Sequence, residues 1–205
     1  MTDVKPSKIV CVGRNYAAHA RELGNTVPER PLLFLKPPSS LVGSGQAIVI
    51  PPDSSRVEYE AEIAVLIGRR TRNIGEAEAL DAVAGYLPLN DVTARDLQRL
   101  DVQFTRAKGF DTFCPVGVPA GCDDWRALEV IARVNGRVRQ QGAAADMIFG
   151  IPAVIAYISR IMTLEPGDII ATGTPDGVGP LEPGDTVEIE IPGIGSVSNP
   201  VRSAP

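Results

Sequence analysis

This 205-residue sequence is short of most residue types that announce a specialised chemistry: one histidine, one tryptophan, three cysteines and only 5% aromatics. Cys11, Cys114 and Cys122 are odd in number and fit neither a zinc spacing nor a disulfide framework, so they read as reduced thiols. Positive charge is also scarce. Twenty Lys and Arg against twenty-five Asp and Glu leave a net charge of −5, which excludes nucleic acid and anionic membrane surfaces as partners, since both require a basic face. No stretch approaches about 18 apolar residues, and residues 1–6 lack the apolar centre of a signal peptide, so the expectation is a soluble, cytoplasmic protein. Linkers and low-complexity tracts are absent as well, which points to one domain over residues 1–205.

Glycine (20) and proline (18), by contrast, are plentiful and indicate many short strands joined by tight turns. The pattern predicts strands over 8–13, 31–38, 47–50 and 57–67. It predicts helices over 15–23, capped by Asn15, and over 75–84, 93–100 and 146–162, the last with Pro152 near its first turn. Asn135-Gly136 marks a hairpin within 129–141. The pentapeptide Leu-Glu-Pro-Gly-Asp occurs at 164–168 and again at 181–185, each time feeding a β-rich run. Two copies are too few to stack as a solenoid, so this is repeated turn chemistry.

The most informative stretch is Glu58-Tyr59-Glu60-Ala61-Glu62, which leads into Ile63-Ala64-Val65-Leu66-Ile67. Side chains alternate along a strand, so the three acids share a face. A half-exposed strand with a solvated polar face has this pattern too. If the run is a core strand, neighbouring carboxylates at about 4 Å repel by roughly 4 kcal/mol at an effective dielectric near 20, and a cation must compensate them. Asp91 closes an apolar segment before a helix, where it either caps the helix or joins Glu60 and Glu62. Three carboxylates would leave about three positions of an octahedral ion open, and all-oxygen ligation selects Mg²⁺, Mn²⁺ or Ca²⁺ over zinc.

His19 and Glu22, three apart on a helix, are either an incidental surface pair or a carboxylate-oriented general base. Lys108, among apolar and aromatic neighbours, is either a snorkelling surface lysine or a desolvated ammonium awaiting an anion. The Gly-rich turn over 172–179 offers amides and hydroxyls to a carboxylate or oxyanion, without the lysine of a phosphate-binding loop.

Taken in order, these pieces resemble the fumarylacetoacetate hydrolase family, most closely its short acylpyruvase-like members. The matching stretches are Gly13-Arg14-Asn15-Tyr16 with His19 and Glu22, Phe34-Leu35-Lys36-Pro37, Tyr59-Glu60-Ala61-Glu62, and Asp91-Val92-Thr93-Ala94-Arg95-Asp96. Ala107-Lys108, Met147-Ile148-Phe149, and Thr172-Gly173-Thr174-Pro175 with Gly177-Val178-Gly179 complete the set. The resemblance implies a strand-rich α+β fold, a mixed β-roll with short peripheral helices, usually dimeric. It implies Mg²⁺ or Mn²⁺ on Glu60, Glu62 and Asp91, a lid over about 14–30 carrying His19 and Glu22, and Lys108 facing the substrate carbonyl. Arg14, Tyr16, Lys36, Arg95, Gln98 and Thr174 match positions near the ligand. The chain departs from the family at Gly142-Ala143-Ala144-Ala145-Asp146, where relatives tend to carry a Ser or Thr cap worth about 1 kcal/mol.

The implied activity is hydrolysis of a carbon–carbon bond in 2,4-diketo acids, acylpyruvates such as fumarylpyruvate or acetylpyruvate, to pyruvate and a carboxylate. Oxaloacetate decarboxylation and the isomerisation or hydration of hydroxydienoates use the same machinery. From a different class, a non-catalytic protein stabilised by its metal would show ligation without turnover.

Overall fold

The computed structural model describes residues 4–22, 24 and 26–204. In chain order the strands are β1 (Ile9–Gly13), β2 (Leu32–Lys36), β3 (Leu41–Val42), β4 (Ile48–Ile50), β5 (Val57–Tyr59), β6 (Ala61–Ile67), β7 (Val83–Asn90) and β8 (Thr93–Ala94). There follow β9 (Cys114–Pro115), β10 (Glu129–Val134), β11 (Arg137–Ala143), β12 (Ile169–Ala171), β13 (Gly179–Pro180), β14 (Thr186–Ile191) and β15 (Gly195–Ser203). The α-helices are α1 (Ala17–Glu22), α2 (Glu76–Ala79), α3 (Arg95–Leu100), α4 (Thr105–Lys108) and α5 (Ile151–Ile161). None is long and apolar enough to cross a membrane.

Two five-stranded sheets dominate, ordered β2-β1-β12-β6-β7 and β11-β10-β14-β15-β4. Each is mixed, because β1 runs parallel to β12 and β15 parallel to β4 while every other pairing is antiparallel. This is the strand-rich mixed architecture the sequence implied. The central strands of the first sheet are buried on both faces, as their unbroken apolar runs require. Val10, Val12, Ile63, Val65 and Ile170 pack into the core against the second sheet, while Ile9, Cys11, Ala64, Leu87, Leu89 and Ile169 fill a second cluster on the opposite face.

The hairpin at Asn135-Gly136 forms as expected: Val134 pairs with Arg137, and both turn residues have positive φ (52° and 76°), the geometry of a type I′ turn. The two Leu-Glu-Pro-Gly-Asp segments make the same turn twice. In each the Asp carboxylate accepts from the Glu backbone N–H at 2.8 Å and the Asp N–H donates to the Glu carbonyl at 3.0 Å. Asp168 does more than its counterpart, because its fully buried carboxylate also accepts from the Ser7 hydroxyl and pairs with Lys8. Burial pushes this carboxyl up, but the Glu165 N–H, Lys8 and Ser7 outweigh it and hold it below the usual aspartate value. A depressed carboxyl stabilises the fold above its unfolded pKa near 4 and loses that contribution as pH falls through the folded value. Asp168→Asn is therefore expected to lower stability at pH 7 by about 1–3 kcal/mol. The gap from the parent should narrow below about pH 4, as read from urea midpoints at pH 7, 5 and 3.

Several boundaries differ from the sequence expectation, each for a local reason. The strand expected over 57–67 is two strands in different sheets, interrupted at Glu60, whose N–H donates to the Asn90 side chain rather than to a ladder carbonyl. The helix over 75–84 ends at Ala79, continues as a 3₁₀ turn to Ala82, and gives way to β7 at Val83. The helix over 93–100 begins at Arg95, because Thr93–Ala94 pair with β5. The helix over 146–162 begins only at Ile151. The backbone N–H groups of Ile148 and Phe149 donate to the carbonyl and side chain of Asn15, and Met147 bridges to Tyr16, so these residues are held outside the helix. Asn15 consequently does not cap α1. Its side chain is spent tying Phe149 and the Thr172 carbonyl together. Leu23, the expected end of that helix, lies outside the described residues. At the family departure no side chain caps the 3₁₀ turn Ala144–Asp146; the Ala144 N–H donates to the Leu128 carbonyl instead.

Candidate active site

The acidic residues meet because of the register between β6 and β7. Glu62 pairs with Leu89, Ala61 with Asn90, and the Asp91 N–H donates to the Glu60 carbonyl at 2.9 Å. Asp91 thus continues the face that Leu87 and Leu89 present, next to the face of Glu60, Glu62 and Ala64. One oxygen from each of Glu60, Glu62 and Asp91 lies within 4.8 Å of the others, and all three residues are buried. Asp91 is not a helix cap.

Buried cations hold this group from behind. Lys108 Nζ donates to Glu60 Oε2 and Asp91 Oδ2, both at 2.7 Å, and lies 5.1 Å from the centroid of the Phe34 ring. Lys36 Nζ donates to Asp91 Oδ1 at 2.7 Å and to the Val92 carbonyl at 3.1 Å. Arg95 bridges Glu58 Oε2 (2.6 Å) and Glu60 Oε1 (2.5 Å), while its Nη1 reaches Gln98 at 2.6 Å. Glu58, the third acid of the alternating run, is therefore an anchor for Arg95 and stands outside the trio.

Glu62 alone lacks a cation. Its hydrogen bond comes from the Gly173 N–H at 2.8 Å, and no ion pair reaches it among the described residues. Burial, followed by Asp91 and Glu60, pushes its carboxyl well above the usual range. At Glu60 burial acts in the same direction, but Lys108 and Arg95 outweigh it and hold the carboxyl well below. Burial disfavours the Lys108 ammonium, yet Asp91 and Glu60 raise its pKa overall. Glu58, Glu60 and Asp91 are paired by the buried Lys36, Arg95 and Lys108, with the half-exposed Arg56 also on Glu58 Oε1 at 2.6 Å, and Glu62 is left as the carboxylate that a proton or a metal ion would neutralise. Hard, anionic oxygen donors with a charge deficit fit Mg²⁺ or Mn²⁺ and do not fit a soft ion.

The trio opens into a cavity of about 360 Å³. His19, Glu22, Arg14, Arg95, Gln98, Lys108 and Thr174 line it together with the three acids, as do Phe34, Arg99 and Phe104, which were not among the expected site residues. His19 is only 4% exposed. Its Nδ1 lies 3.3 Å from Glu22 Oε2, and Glu22 Oε1 accepts from the Gly177 N–H at 3.0 Å. The carboxylate therefore orients the ring and also fastens α1 to the Gly-rich loop over 172–179. That loop has positive φ at Gly173 (104°) and Gly177 (93°), and at each a Cβ would approach within 3 Å of Asn15 or of the Arg139 carbonyl. Its amides at Gly173 and Gly177 are not free for a ligand, contrary to expectation, since Glu62 and Glu22 take them. The Thr174 hydroxyl remains at the cavity wall.

Two expected ligand-side residues stand elsewhere. Lys36 is 1% exposed and sits behind Asp91. Tyr16 is buried with its hydroxyl unpartnered, and burial, then Glu62 and Asp146, raise its pKa. Lys108 reaches the cavity, but its ammonium is engaged by Glu60 and Asp91 rather than left to face a carbonyl. One further residue was missed. Gln140 of β11, in a strand whose neighbours are mostly exposed, carried no sequence signal beyond strand alternation.

Carboxylates converging on a cavity from two paired strands, paired with buried lysines and faced by a histidine–glutamate pair, make a site of the class whose oxygen donors suit a hard divalent ion. The comparisons narrow the class. Residues 8–202 match the family model described as fumarylacetoacetate (FAA) hydrolase C-terminal, and the chain belongs to that family. It is 47% identical over 198 residues to an Arabidopsis thaliana protein named oxaloacetate tautomerase FAHD1, mitochondrial, covering 93% of this chain and 89% of that one. It is 46% identical over 196 residues to a Dictyostelium discoideum protein named oxaloacetate decarboxylase, mitochondrial, covering 91% and 87%. Among solved structures it is similar to fumarylpyruvate hydrolase from Pseudomonas aeruginosa in complex with Mn²⁺ and pyruvate, at a TM-score of 0.90 and 32% identity, covering 97% of this chain and 91% of that one.

Proposed function

We propose that this chain is a divalent-metal-dependent hydrolase that cleaves the carbon–carbon bond of short 2,4-diketo acids, acylpyruvates such as fumarylpyruvate or acetylpyruvate. The observation that carries the reading is the His19–Glu22 pair facing the same cavity as Glu60, Glu62 and Asp91. These three carboxylates would hold Mg²⁺ or Mn²⁺, which supplies Lewis-acid polarisation of a carbonyl oxygen and stabilisation of developing negative charge. A divalent ion would more than neutralise the unpaired Glu62 carboxylate, and a substrate carboxylate would offset the remaining positive charge.

His19, its Nδ1 held by Glu22, takes a proton from a water at the ring's other nitrogen, and the water oxygen attacks the distal C4 carbonyl. The C3–C4 bond breaks, its electron pair passes into the pyruvate enolate, and the proton held by His19 is available to return to C3. Thr174 donates to an oxyanion that develops on the pyruvate half of the substrate. Arg14 and Arg99, without ion-pair partners among the described residues, and Gln98 supply further donors along the wall. The rest of the proposal is a cytoplasmic homodimer that takes a small keto acid and neither nucleic acid nor membrane, in keeping with its net negative charge.

A second reading, oxaloacetate turnover, is favoured by the two relatives at 46–47% identity. Decarboxylation needs no activated water, so it makes no demand on His19 as a base. Steady-state rates on acetylpyruvate, fumarylpyruvate and oxaloacetate, with Mg²⁺, with Mn²⁺ and after chelation, test both. Metal-dependent release of pyruvate from an acylpyruvate is the expected result. Turnover of oxaloacetate alone would replace the first reading with the second, and undiminished activity after chelation would remove the metal from either.

A further inference from the structure

Gln140 is 1% exposed and stands directly behind the cavity wall. Its Oε1 accepts from the Ala61 N–H at 2.9 Å, and its Nε2 donates to the Pro175 carbonyl and to Thr174 Oγ1, both at 2.8 Å. Ala61 lies between Glu60 and Glu62, and Pro175 follows Thr174, so one amide spans the acidic strand and the loop opposite it. The way round this amide sits is fixed by its backbone partners: an N–H can only donate and a carbonyl can only accept, which leaves one assignment of oxygen and nitrogen. Nε2 carries two protons. One goes to Pro175 and the other to Thr174, so Thr174 Oγ1 is an acceptor in this contact. Its own proton has no acceptor among the described residues, and Thr174 lines the cavity.

We propose that Gln140 is a positioning residue that fixes the polarity of the Thr174 hydroxyl, holding it as a hydrogen-bond donor toward an oxyanion bound in the cavity. A threonine hydroxyl is otherwise free to rotate and to serve as donor or acceptor. With its lone pair engaged by an amide N–H, its proton is directed into the cavity before any substrate arrives, the preorganisation that makes such donors effective. The substitution Gln140→Glu would reverse this. A carboxylate has no N–H to give, so Thr174 would turn its proton back to the carboxylate oxygen and present a lone pair to the oxyanion.

The kinetic meaning of this inference rests on the keto-acid reading; the binding test below does not. The probe is oxalate, a dianion with the shape and charge of pyruvate enolate, titrated into the Mn²⁺-loaded protein, with Mn²⁺ affinity and melting temperature recorded for each variant. Thr174→Val is expected to weaken oxalate about tenfold, the loss of one charge-assisted hydrogen bond, and Thr174→Ser to restore it. Gln140→Glu is expected to cost the same factor with Mn²⁺ affinity unchanged, and the double variant Gln140→Glu/Thr174→Val to be no weaker than Thr174→Val alone. Should Gln140→Glu not fold, Gln140→Met, which leaves the hydroxyl free to rotate, is expected to weaken oxalate by a smaller factor, again with Mn²⁺ affinity unchanged. Multiplicative losses in the double variant, parental oxalate affinity in both Gln140 variants, or a loss appearing in Mn²⁺ affinity would each overturn the proposal. If the parent protein turns over no keto acid, the functional reading fails while the oxalate cycle still decides the role of Gln140.

Discussion

Glu62→Gln is expected to stabilise the metal-free protein and at the same time to abolish its response to Mg²⁺ or Mn²⁺ and its metal-dependent turnover. Glu62 is the buried carboxylate without a cation, and it is repelled by Asp91 and Glu60. A glutamine oxygen still accepts the Gly173 N–H, so neutralisation removes the repulsion and keeps the hydrogen bond. The cost falls on ligation. A metal that binds only the folded state adds about 2.7 kcal/mol at a hundredfold excess over its dissociation constant, and this increment disappears in the variant. Glu60→Gln should behave oppositely in the metal-free state. Glu60 neutralises Arg95 and Lys108, and half-breaking a buried ion network costs about 3–5 kcal/mol. Thermal melts of both variants with and without metal separate the roles. A metal-free Glu62→Gln protein that melts well below its parent would show that the charge assignment is wrong.

His19→Asn is the second large effect. If His19 takes the proton of the attacking water, acylpyruvate cleavage should fall by about 10²–10⁴ in kcat, the usual range for loss of a general base. Oxaloacetate decarboxylation, which needs no water activated, should fall much less. The asparagine fits the same buried position and can still hydrogen-bond Glu22, so the link from Glu22 to the Gly177 N–H survives and the comparison reports on the proton acceptor. Equal losses on the two substrates would assign His19 to closing the cavity instead.

Alternation within Glu58-Tyr59-Glu60-Ala61-Glu62 showed that these acids share a face, and the family resemblance, not the pattern, selected Glu60 and Glu62 and added Asp91. Glu58 went a different way from its neighbours for a reason alternation does not contain: the chain changes sheets at Glu60, and Arg95 arrives from α3 to claim Glu58. The Asn135-Gly136 hairpin and the paired Leu-Glu-Pro-Gly-Asp turns were legible because their φ demands and side-chain acceptors are local. Asn15 was misread as a cap because its true partners, Phe149 and Thr172, are more than 130 residues away. Separation along the chain also hid Gln140, whose amide is defined by Ala61 and Thr174, 79 and 34 residues away.

By itself, then, the sequence determined what depends on neighbours along the chain: where the apolar runs lie, where the turns fall, and which acidic side chains alternate onto one face. Only the tertiary structure decided how those charges are balanced. It put Lys36 behind Asp91 and Lys108 between Glu60 and Asp91, left Glu62 without a cation, and set the polarity of the Thr174 hydroxyl. Ion pairing and hydrogen-bond direction act over a few ångströms between groups far apart in the chain, and folding alone brings such groups within reach.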